Sequence, residues 1–304
     1  MMKPLVLCGA ALLAWQAAAQ QPIFRATTDV VVVDARVVDR SGRVVTDLTA
    51  EDFDVRVDGA PRRIASVRYE SASSAEQTST VLVAVDRQNL RIETSRGILD
   101  AAATFVERLP QSHELGLLVL PEDRLRVAIG QSAGQVARAL RGLLGTYNPR
   151  MPMGDDELSS RSALHQVISV MSTVKGRRTV VFLADRMYDG ASTLDSARRA
   201  ALQGVTFYVV SADAPTMTAE NRRPAAPDSS QIFGGLEGLA VASGGAFMRR
   251  WAGADAVFDR IAHELSGQYL LTFETEPSDS GRHGIQVKVK RDGLDVRARR
   301  EFVK

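Results

Sequence analysis

Residues 80–86 read Thr-Val-Leu-Val-Ala-Val-Asp, an unbroken apolar run that ends in a carboxylate. A run of this length without alternation is typical of a strand buried on both faces, as in a parallel sheet covered by helices. A second run, from Arg178 to Ala184, ends in the same way at Asp185. The two stretches predict a parallel sheet, and they decide the fold class.

Strand and helix patterns alternate on both sides of these runs. Further strands are predicted at 115–120, 205–210 and 246–250, with an edge strand at 125–129. Apolar residues at helical spacing predict helices at 98–109, 136–144, 162–174, 194–202, 232–242 and 254–266. This alternation implies an α/β domain over residues 79–266, with a doubly wound, mostly parallel sheet of Rossmann-like construction.

The two ends of the chain have β patterns of their own. Residues 20–72 contain alternating stretches and a hairpin signal at Asp58-Gly59. Residues 267–304 alternate as well, and Asp292-Gly293 predicts a hairpin leading into a strand from Leu294 to Val303. Each segment is short of strands, so we expect them to form one small β-sandwich into which the α/β domain is inserted. Residues 73–78 lack periodicity and are predicted to be a linker.

The first 19 residues predict a cleaved signal peptide. Lys3 precedes an apolar run from Pro4 to Trp15, and Ala17-Ala18-Ala19 offers a cleavage site after Ala19. The run is too short to span a bilayer, which takes about 20 apolar residues. We therefore expect a secreted or periplasmic protein whose mature form has no membrane span. Cys8 is the only cysteine, so the mature chain would have neither disulfides nor thiolate metal sites.

The charge of the chain is nearly balanced. It has 38 Lys and Arg against 36 Asp and Glu, for a formal net charge of +2, and the two signs are interspersed. The basic cluster of Arg297, Arg299 and Arg300 alternates with other residue types, which favours a solvated strand face over a nucleic-acid patch. No nucleic-acid partner is expected, and the pattern leaves the oligomeric state open.

Two carboxylates are predicted to meet at one edge of the central sheet. Ligands of open α/β sheets bind outside the carboxyl ends of the strands, where Asp86 and Asp185 would lie. Ser162 is predicted to start a helix at the same edge. Oxygen donors of this kind suit a hard divalent cation such as Mg²⁺.

The order of these elements resembles a von Willebrand factor A domain. The flanks "VVVVDARVVDRSGRVVTDLTAEDFDVRVDG" (30–59) and "GQYLLTFETEPSDSGRHGIQVKVKRDGLDVRARREF" (267–302) are similar to the ends of secreted bacterial proteins called VWFA-related. The resemblance covers nearly all of the expected mature chain. It implies an extracytoplasmic protein-binding or adhesion module with a metal-ion-dependent adhesion site, whose motif is Asp-x-Ser-x-Ser, a distant Thr and a later Asp.

The motif is degenerate in this chain. Asp86 and Asp185 match its two aspartates, and Ser162 is the best match to the threonine. Gln88 replaces the first serine and could offer a carbonyl oxygen, whereas Leu90 replaces the second and offers none. Asn89 is a substitute oxygen donor, and Arg186 stands where the family usually has glycine. The resemblance thus implies a weakened site for Mg²⁺ or another divalent cation.

An alternative without metal follows from two arginines. Arg87 and Arg186 adjoin the two aspartates, and either guanidinium could neutralise a carboxylate and replace the cation. The residues predicted to contact a partner are Arg87, Asp155, Asp156, Arg186 and Asp189. The Pro- and Ala-rich stretch 212–230 lies on the same side and is predicted to be a recognition loop or an inert insertion.

Three classes of function are weighed. The leading hypothesis is the binding or adhesion module, with a protein ligand of unknown identity. The alternative is a metal-free structural scaffold of an envelope assembly, in which the β-sandwich is the contact surface. A hydrolase is the least favoured hypothesis, because the sequence has no nucleophile paired with a base, no zinc-ligand spacing and no phosphate-binding loop. We therefore expect that the protein is not an enzyme.

Overall fold

The computed structural model describes residues 30–73, 78–122, 124–147, 156–187, 191–212, 229–249, 254–276 and 279–304. The predicted signal peptide and most of the predicted linker and of the 212–230 stretch lie outside these residues. No helix in the described part of the chain is both long and apolar enough to cross a membrane.

A six-stranded sheet forms the centre of the molecule. Its strands are β5 (Ser79–Asp86), β6 (His113–Leu120), β7 (Leu125–Gln131), β8 (Arg177–Leu183), β9 (Val205–Ser211) and β10 (Ala246–Arg249). They lie in the order β10-β9-β8-β5-β6-β7, and β7 alone of these six is antiparallel to its neighbour. The predicted mostly parallel sheet with an edge strand is confirmed.

Helices cover both faces of this sheet. They are α1 (Ile92–Arg108), α2 (Ala133–Arg141), α3 (Asp156–Ser172), α4 (Ala191–Leu202), α5 (Ser229–Ala242) and α6 (Ala254–Leu265). One core packs α1, α2 and α6 on the first face, and a second core packs α3, α4 and α5 on the other. All eight residues of β5 are buried, and its side chains enter the two cores alternately. The unbroken apolar run at 80–85 has its physical cause in this double covering.

The two ends of the chain build one β-sandwich, as expected. Its strands are β1 (Val30–Asp39), β2 (Phe53–Val57), β3 (Ala60–Arg62), β4 (Ile64–Ser71), β11 (Gly267–Glu274), β12 (Arg282–Val289), β13 (Leu294–Ala298) and β14 (Glu301–Val303). One sheet has the order β13-β1-β11-β4 and the other β14-β12-β2-β3, so each sheet mixes strands from both ends. Their facing side chains form a third core.

One of the two predicted hairpins is correct and the other is wrong. Asp58 and Gly59 have φ angles of 49° and 84° and close a two-residue turn between β2 and β3. Gly293 also has a positive φ, but the turn at Asp292 leads from β12 into the other sheet, where β13 pairs with β1. The predicted strand from Leu294 to Val303 is accordingly split, because β14 returns to pair with β12.

The expected helix start at Ser162 is also wrong. Helix α3 begins at Asp156, and Ser162 lies in its second turn. Residues 156–161 read Asp-Glu-Leu-Ser-Ser-Arg and contain one apolar residue. The helical hydrophobic period therefore becomes visible in the sequence only from Ser162 onward.

Polar contacts join the sandwich to the α/β domain. Arg177, at the start of β8, pairs with Glu70 of β4 over 2.8 Å, and both side chains are nearly buried. Arg297 of β13 pairs with the fully buried Glu264 of α6 over 3.1 Å. Both contacts lie at the amino-terminal side of the central sheet, which leaves the carboxyl edge clear of the sandwich.

Candidate functional site at the carboxyl edge of the sheet

Asp86 is the last residue of β5, and its carboxylate is held inside the protein. The residue is 3% exposed. It caps the short 3₁₀ turn Arg87–Asn89 and accepts hydrogen bonds from the Asn89 backbone N–H at 3.2 Å and side-chain amide at 2.8 Å. Burial raises the pKa of Asp86 to about 6, although the Asn89 hydrogen bonds and the Arg186 charge act against that rise.

Asp185 follows β8 and connects three segments of the edge. It is completely buried. Its carboxylate accepts from the backbone N–H of Arg91 at 2.8 Å, the backbone N–H of Ala212 at 2.7 Å and the Ser211 hydroxyl at 3.3 Å. The backbone N–H of Asp185 donates to the Asn89 carbonyl at 2.8 Å. Asp185 thus fixes the loops that follow β5, β8 and β9 relative to one another.

Asn89 links Asp86 to a buried cation. While its amide nitrogen donates to Asp86, its Oδ1 accepts from Nε of Arg186 at 3.0 Å. Arg186 is 7% exposed, and its guanidinium carbon lies 3.9 Å from the centroid of the Tyr147 ring, within the range of a cation–π contact. We call this arrangement the Asp86–Asn89–Arg186 chain.

The segment 143–147 closes over the turn after β5. The Arg87 carbonyl accepts from the Thr146 backbone N–H at 2.7 Å and from its hydroxyl at 3.0 Å. Nε of Arg87 donates to the Leu144 carbonyl at 2.8 Å. Gly145 permits this approach, since a Cβ there would lie 2.2 Å from the Leu90 carbonyl oxygen. Arg87 therefore faces this segment, and of the two arginines it is Arg186 that reaches the Asp86 side.

The remaining predicted ligand positions do not converge on Asp86. Gln88 is exposed and Leu90 is fully buried in the first core. Ser162 is exposed, and within the described residues no hydrogen bond joins it to Asp86. Asp155 and Asp189 lie outside the described residues, as does the side chain of Asp156 at the start of α3.

These donors do not fit a divalent-cation site. Hard cations take six or more oxygens, whereas both carboxylate oxygens of Asp86 already accept from Asn89. Leu90 offers no donor, and the positive charge of Arg186 acts on Asp86. The Arg186 guanidinium, which is linked to Asp86 through the Asn89 side chain, can instead balance the charge of the buried Asp86 carboxylate.

Three contributors to this edge were missed by the sequence analysis. Tyr147 covers Arg186, and the exposed apolar side chains of Ile92 and Leu144 flank the turn after β5. Tyr147 carried a weak signal, because it is an aromatic residue in a loop rich in Gly, Pro and Asp. Leu144 ends the predicted helix 136–144 and Ile92 precedes the predicted helix 98–109, so nothing in the pattern marked either residue as exposed.

Comparisons with known proteins find no match in sequence and only distant similarities in structure. No protein-family model and no curated protein matches the chain. Similar solved structures include an aerotolerance-related membrane protein from Bacteroides fragilis (14% identity, TM-score 0.44, 62% of this chain and 98% of that one). BatB from Bacteroides thetaiotaomicron is 16% identical with a TM-score of 0.47 and coverage of 62% and 97%. The human COPII-coat protein Sec24c is 6% identical with a TM-score of 0.40 and coverage of 77% and 46%.

Likenesses this distant say nothing about function, and the fold class rests on the strand order itself. The observed order of helices and strands shows a doubly wound, mostly parallel α/β domain. Membership of the secreted VWFA-related proteins stays a prediction.

Proposed function

We propose that the chain is a protein-binding module and that its recognition surface is the carboxyl edge of the central sheet. The surface, called the rim below, consists of Arg87, Gln88, Ile92 and Leu144. The observation that carries the proposal is the exposure of two large apolar side chains there, Ile92 at 45% and Leu144 at 42%. The buried cores of protein interfaces are more apolar than the rest of the surface and are enriched in Arg, the two kinds of side chain that meet here.

The chemistry of the rim indicates the kind of partner. Arg87 is half-buried, and within the described part of the chain its terminal nitrogens donate to no other group. A guanidinium in this state can bind a carboxylate by two parallel hydrogen bonds. The partner we expect is a protein segment that presents an acidic side chain next to an apolar one.

The proposed binding does not use a metal ion. In the metal-ion-dependent adhesion site that the family resemblance implies, a carboxylate of the partner would coordinate a cation held at the two aspartates. Here the Asp86–Asn89–Arg186 chain supplies an internal positive charge, and its hydrogen bonds hold the carboxyl edge of the central sheet in place. The acidic residue of the partner would meet Arg87 instead.

The test compares variants in cross-linking capture of proteins from an envelope extract, with quantitative mass spectrometry of the captured set. The rim variant combines Arg87→Ala, Ile92→Ser and Leu144→Ser. A matched control, far from the edge, combines Arg63→Ala and Val303→Ser, which are also exposed. We expect the rim variant to lose, at least tenfold, partners that the control retains; equal capture by both variants rules out the rim.

The scaffold alternative remains distinct from this proposal. It places the contact surface on the β-sandwich, so the control variant rather than the rim variant would lose partners. Export through residues 1–19, an extracytoplasmic location and the absence of enzymatic activity are part of the proposal and stay predictions.

A further inference from the structure

A second candidate site lies at the opposite edge of the central sheet. There, a cavity of about 170 Å³ separates the β-sandwich from the amino-terminal ends of β8 and β9. That volume corresponds to roughly six water molecules of liquid. Its lining comes from both units of the protein: Asp34, Arg36 and Arg299 belong to the sandwich, and Arg178, Thr206 and Gly244 to the α/β domain.

The cavity concentrates positive charge. Three of its lining residues are arginines and one is an aspartate, which leaves a formal excess of 3 − 1 = +2. Arg36 is 6% exposed, and Arg178 and Arg299 are half-buried, whereas Asp34 is exposed. Partly buried cations without matching anions are costly, because the protein interior screens and solvates them less well than water does.

In two of the arginines the Nε atom has no hydrogen-bond acceptor. Nε of Arg178 and Nε of Arg299 are buried atoms with no hydrogen-bond partner. Among the described residues, no carboxylate oxygen lies within 4.0 Å of the Arg36, Arg178 or Arg299 side-chain nitrogens. Arg299 donates one bond to the Val32 carbonyl at 2.8 Å, and Arg36 makes a long contact of 3.4 Å with Thr206. The cavity therefore holds more donors than acceptors.

The two cations also act on each other. Burial lowers the pKa of Arg299 first, and the neighbouring Arg178 charge lowers it further, against the opposing effect of Asp34. Gly244 brings Arg299 into this position, because a Cβ on Gly244 would lie 2.7 Å from the Ala298 carbonyl carbon. The backbone at Ala298 and Arg299 can therefore pack this closely against the α/β domain because residue 244 has no side chain.

We propose that this cavity binds a small oxyanion, namely a phosphate or a carboxylate group. Arg178 and Arg299 would bind it through the N–H groups of their terminal guanidinium nitrogens, in the planar geometry that guanidinium offers to such oxygens. Arg178 belongs to the α/β domain and Arg299 to the sandwich. The bound anion would therefore tie the two units together at their junction. This site is independent of the rim, and either proposal can fail without the other.

The test uses inorganic phosphate and acetate as separate probes in chloride buffer at constant ionic strength. Isothermal titration calorimetry and the midpoint of thermal unfolding are measured for the wild-type protein and for Arg178→Gln and Arg299→Gln. Arg63→Gln, an exposed arginine on β4's side of the sandwich, is the matched control. We expect phosphate to raise the unfolding midpoint, and each cavity variant to weaken phosphate binding about tenfold, as the loss of one charged hydrogen bond implies.

The outcomes separate the two anion sources. A response to phosphate but not acetate identifies a phosphate ligand, and a response to acetate as well identifies a site for carboxylates. If neither probe exceeds the effect of chloride on the wild-type protein, the proposal is overturned, whatever the variants do. Equal phosphate binding by wild type and both cavity variants overturns it too. Arg178→Lys, which keeps the charge, checks that a loss in Arg178→Gln does not come from misfolding.

Discussion

Asn89 holds Asp86 from two directions, with its backbone N–H 3.2 Å from one carboxylate oxygen and its side-chain amide 2.8 Å from the other. The same side chain accepts from Arg186. The Asn89 amide thus connects the buried Asp86 carboxylate to the buried Arg186 guanidinium. Several measurable properties of the protein depend on this connection.

Stability should fall with rising pH because of Asp86. Its pKa is raised from 3.8 to about 6 in the folded protein, so the folded state binds a proton that the unfolded state has released. As the pH rises from about 4 to about 6, the free energy of unfolding should therefore decrease by about 3 kcal/mol in total. Asp86→Asn should abolish this part of the slope. Urea unfolding of both proteins across that pH window measures the difference, with Asp100→Asn, an exposed position on α1, as control; parallel curves for wild type and Asp86→Asn would contradict the assignment.

Replacing Asn89 should be costly. Asn89→Leu keeps the number and branching of the side-chain heavy atoms but leaves the Asp86 carboxylate and Nε of Arg186 with fewer partners in a buried setting. We expect a loss of about 2–4 kcal/mol in the free energy of unfolding. Gln88→Leu, one residue earlier and exposed, should change it by less than about 0.5 kcal/mol. Chemical denaturation at neutral pH compares the two, and equal effects would show that the bonds to Asn89 contribute little.

Divalent cations should not bind at Asp86. Because Arg186 acts as the positive charge there, calorimetric titration with Mg²⁺ or Mn²⁺ should give no 1:1 isotherm, and EDTA should leave the unfolding temperature unchanged. The same titration of Arg186→Met, which lacks that charge, shows whether Asp86 binds a cation once the arginine is removed. A clear 1:1 isotherm in the wild type that disappears in Asp86→Ala would falsify the metal-free interpretation.

His283 should titrate above its ordinary pKa. Its Nδ1 lies 2.8 Å from the Asp58 carboxylate, and that hydrogen bond raises the pKa of His283 while it lowers that of Asp58. Since the folded pKa of His283 is raised, the stabilisation is present at low pH and is lost as pH rises through it. NMR titration of the imidazole should show the raised value in wild type and a return toward 6.5 in Asp58→Asn. An unchanged value in the variant would assign the shift to another group.

The sequence was sufficient for the architecture because burial leaves a direct pattern. The runs at 80–85 and 178–184 are apolar on both faces, and the end segments alternate, so each predicted the right kind of strand. The pairing between strands left no such pattern in the sequence. The turn at Asp292-Gly293 has hairpin residues, yet the strand that follows pairs in the other sheet. Turn chemistry sets the local backbone, whereas pairing depends on which side chains meet across the sandwich.

The candidate site was predictable only in part. Asp86 and Asp185 followed from the rule that parallel strands end at one edge. The role of Arg186 remained open because its side-chain direction is set by the Tyr147 ring, which is 39 residues away in the chain. Ser162 was misplaced because the polar first turns of α3 show no hydrophobic period. In each case the missing information was a tertiary contact.

The mixed sheets of the sandwich have a consequence for the order of assembly. Strand β1 lies between β11 and β13, both of which belong to the last segment of the chain. As the polypeptide is synthesised, β1 emerges long before its two neighbours exist, and its backbone groups have no lasting partner. The inserted α/β domain, by contrast, is complete by the end of α6. We therefore expect this domain to fold first and, by bringing its two ends together, to shorten the search by which the earliest and latest strands find each other.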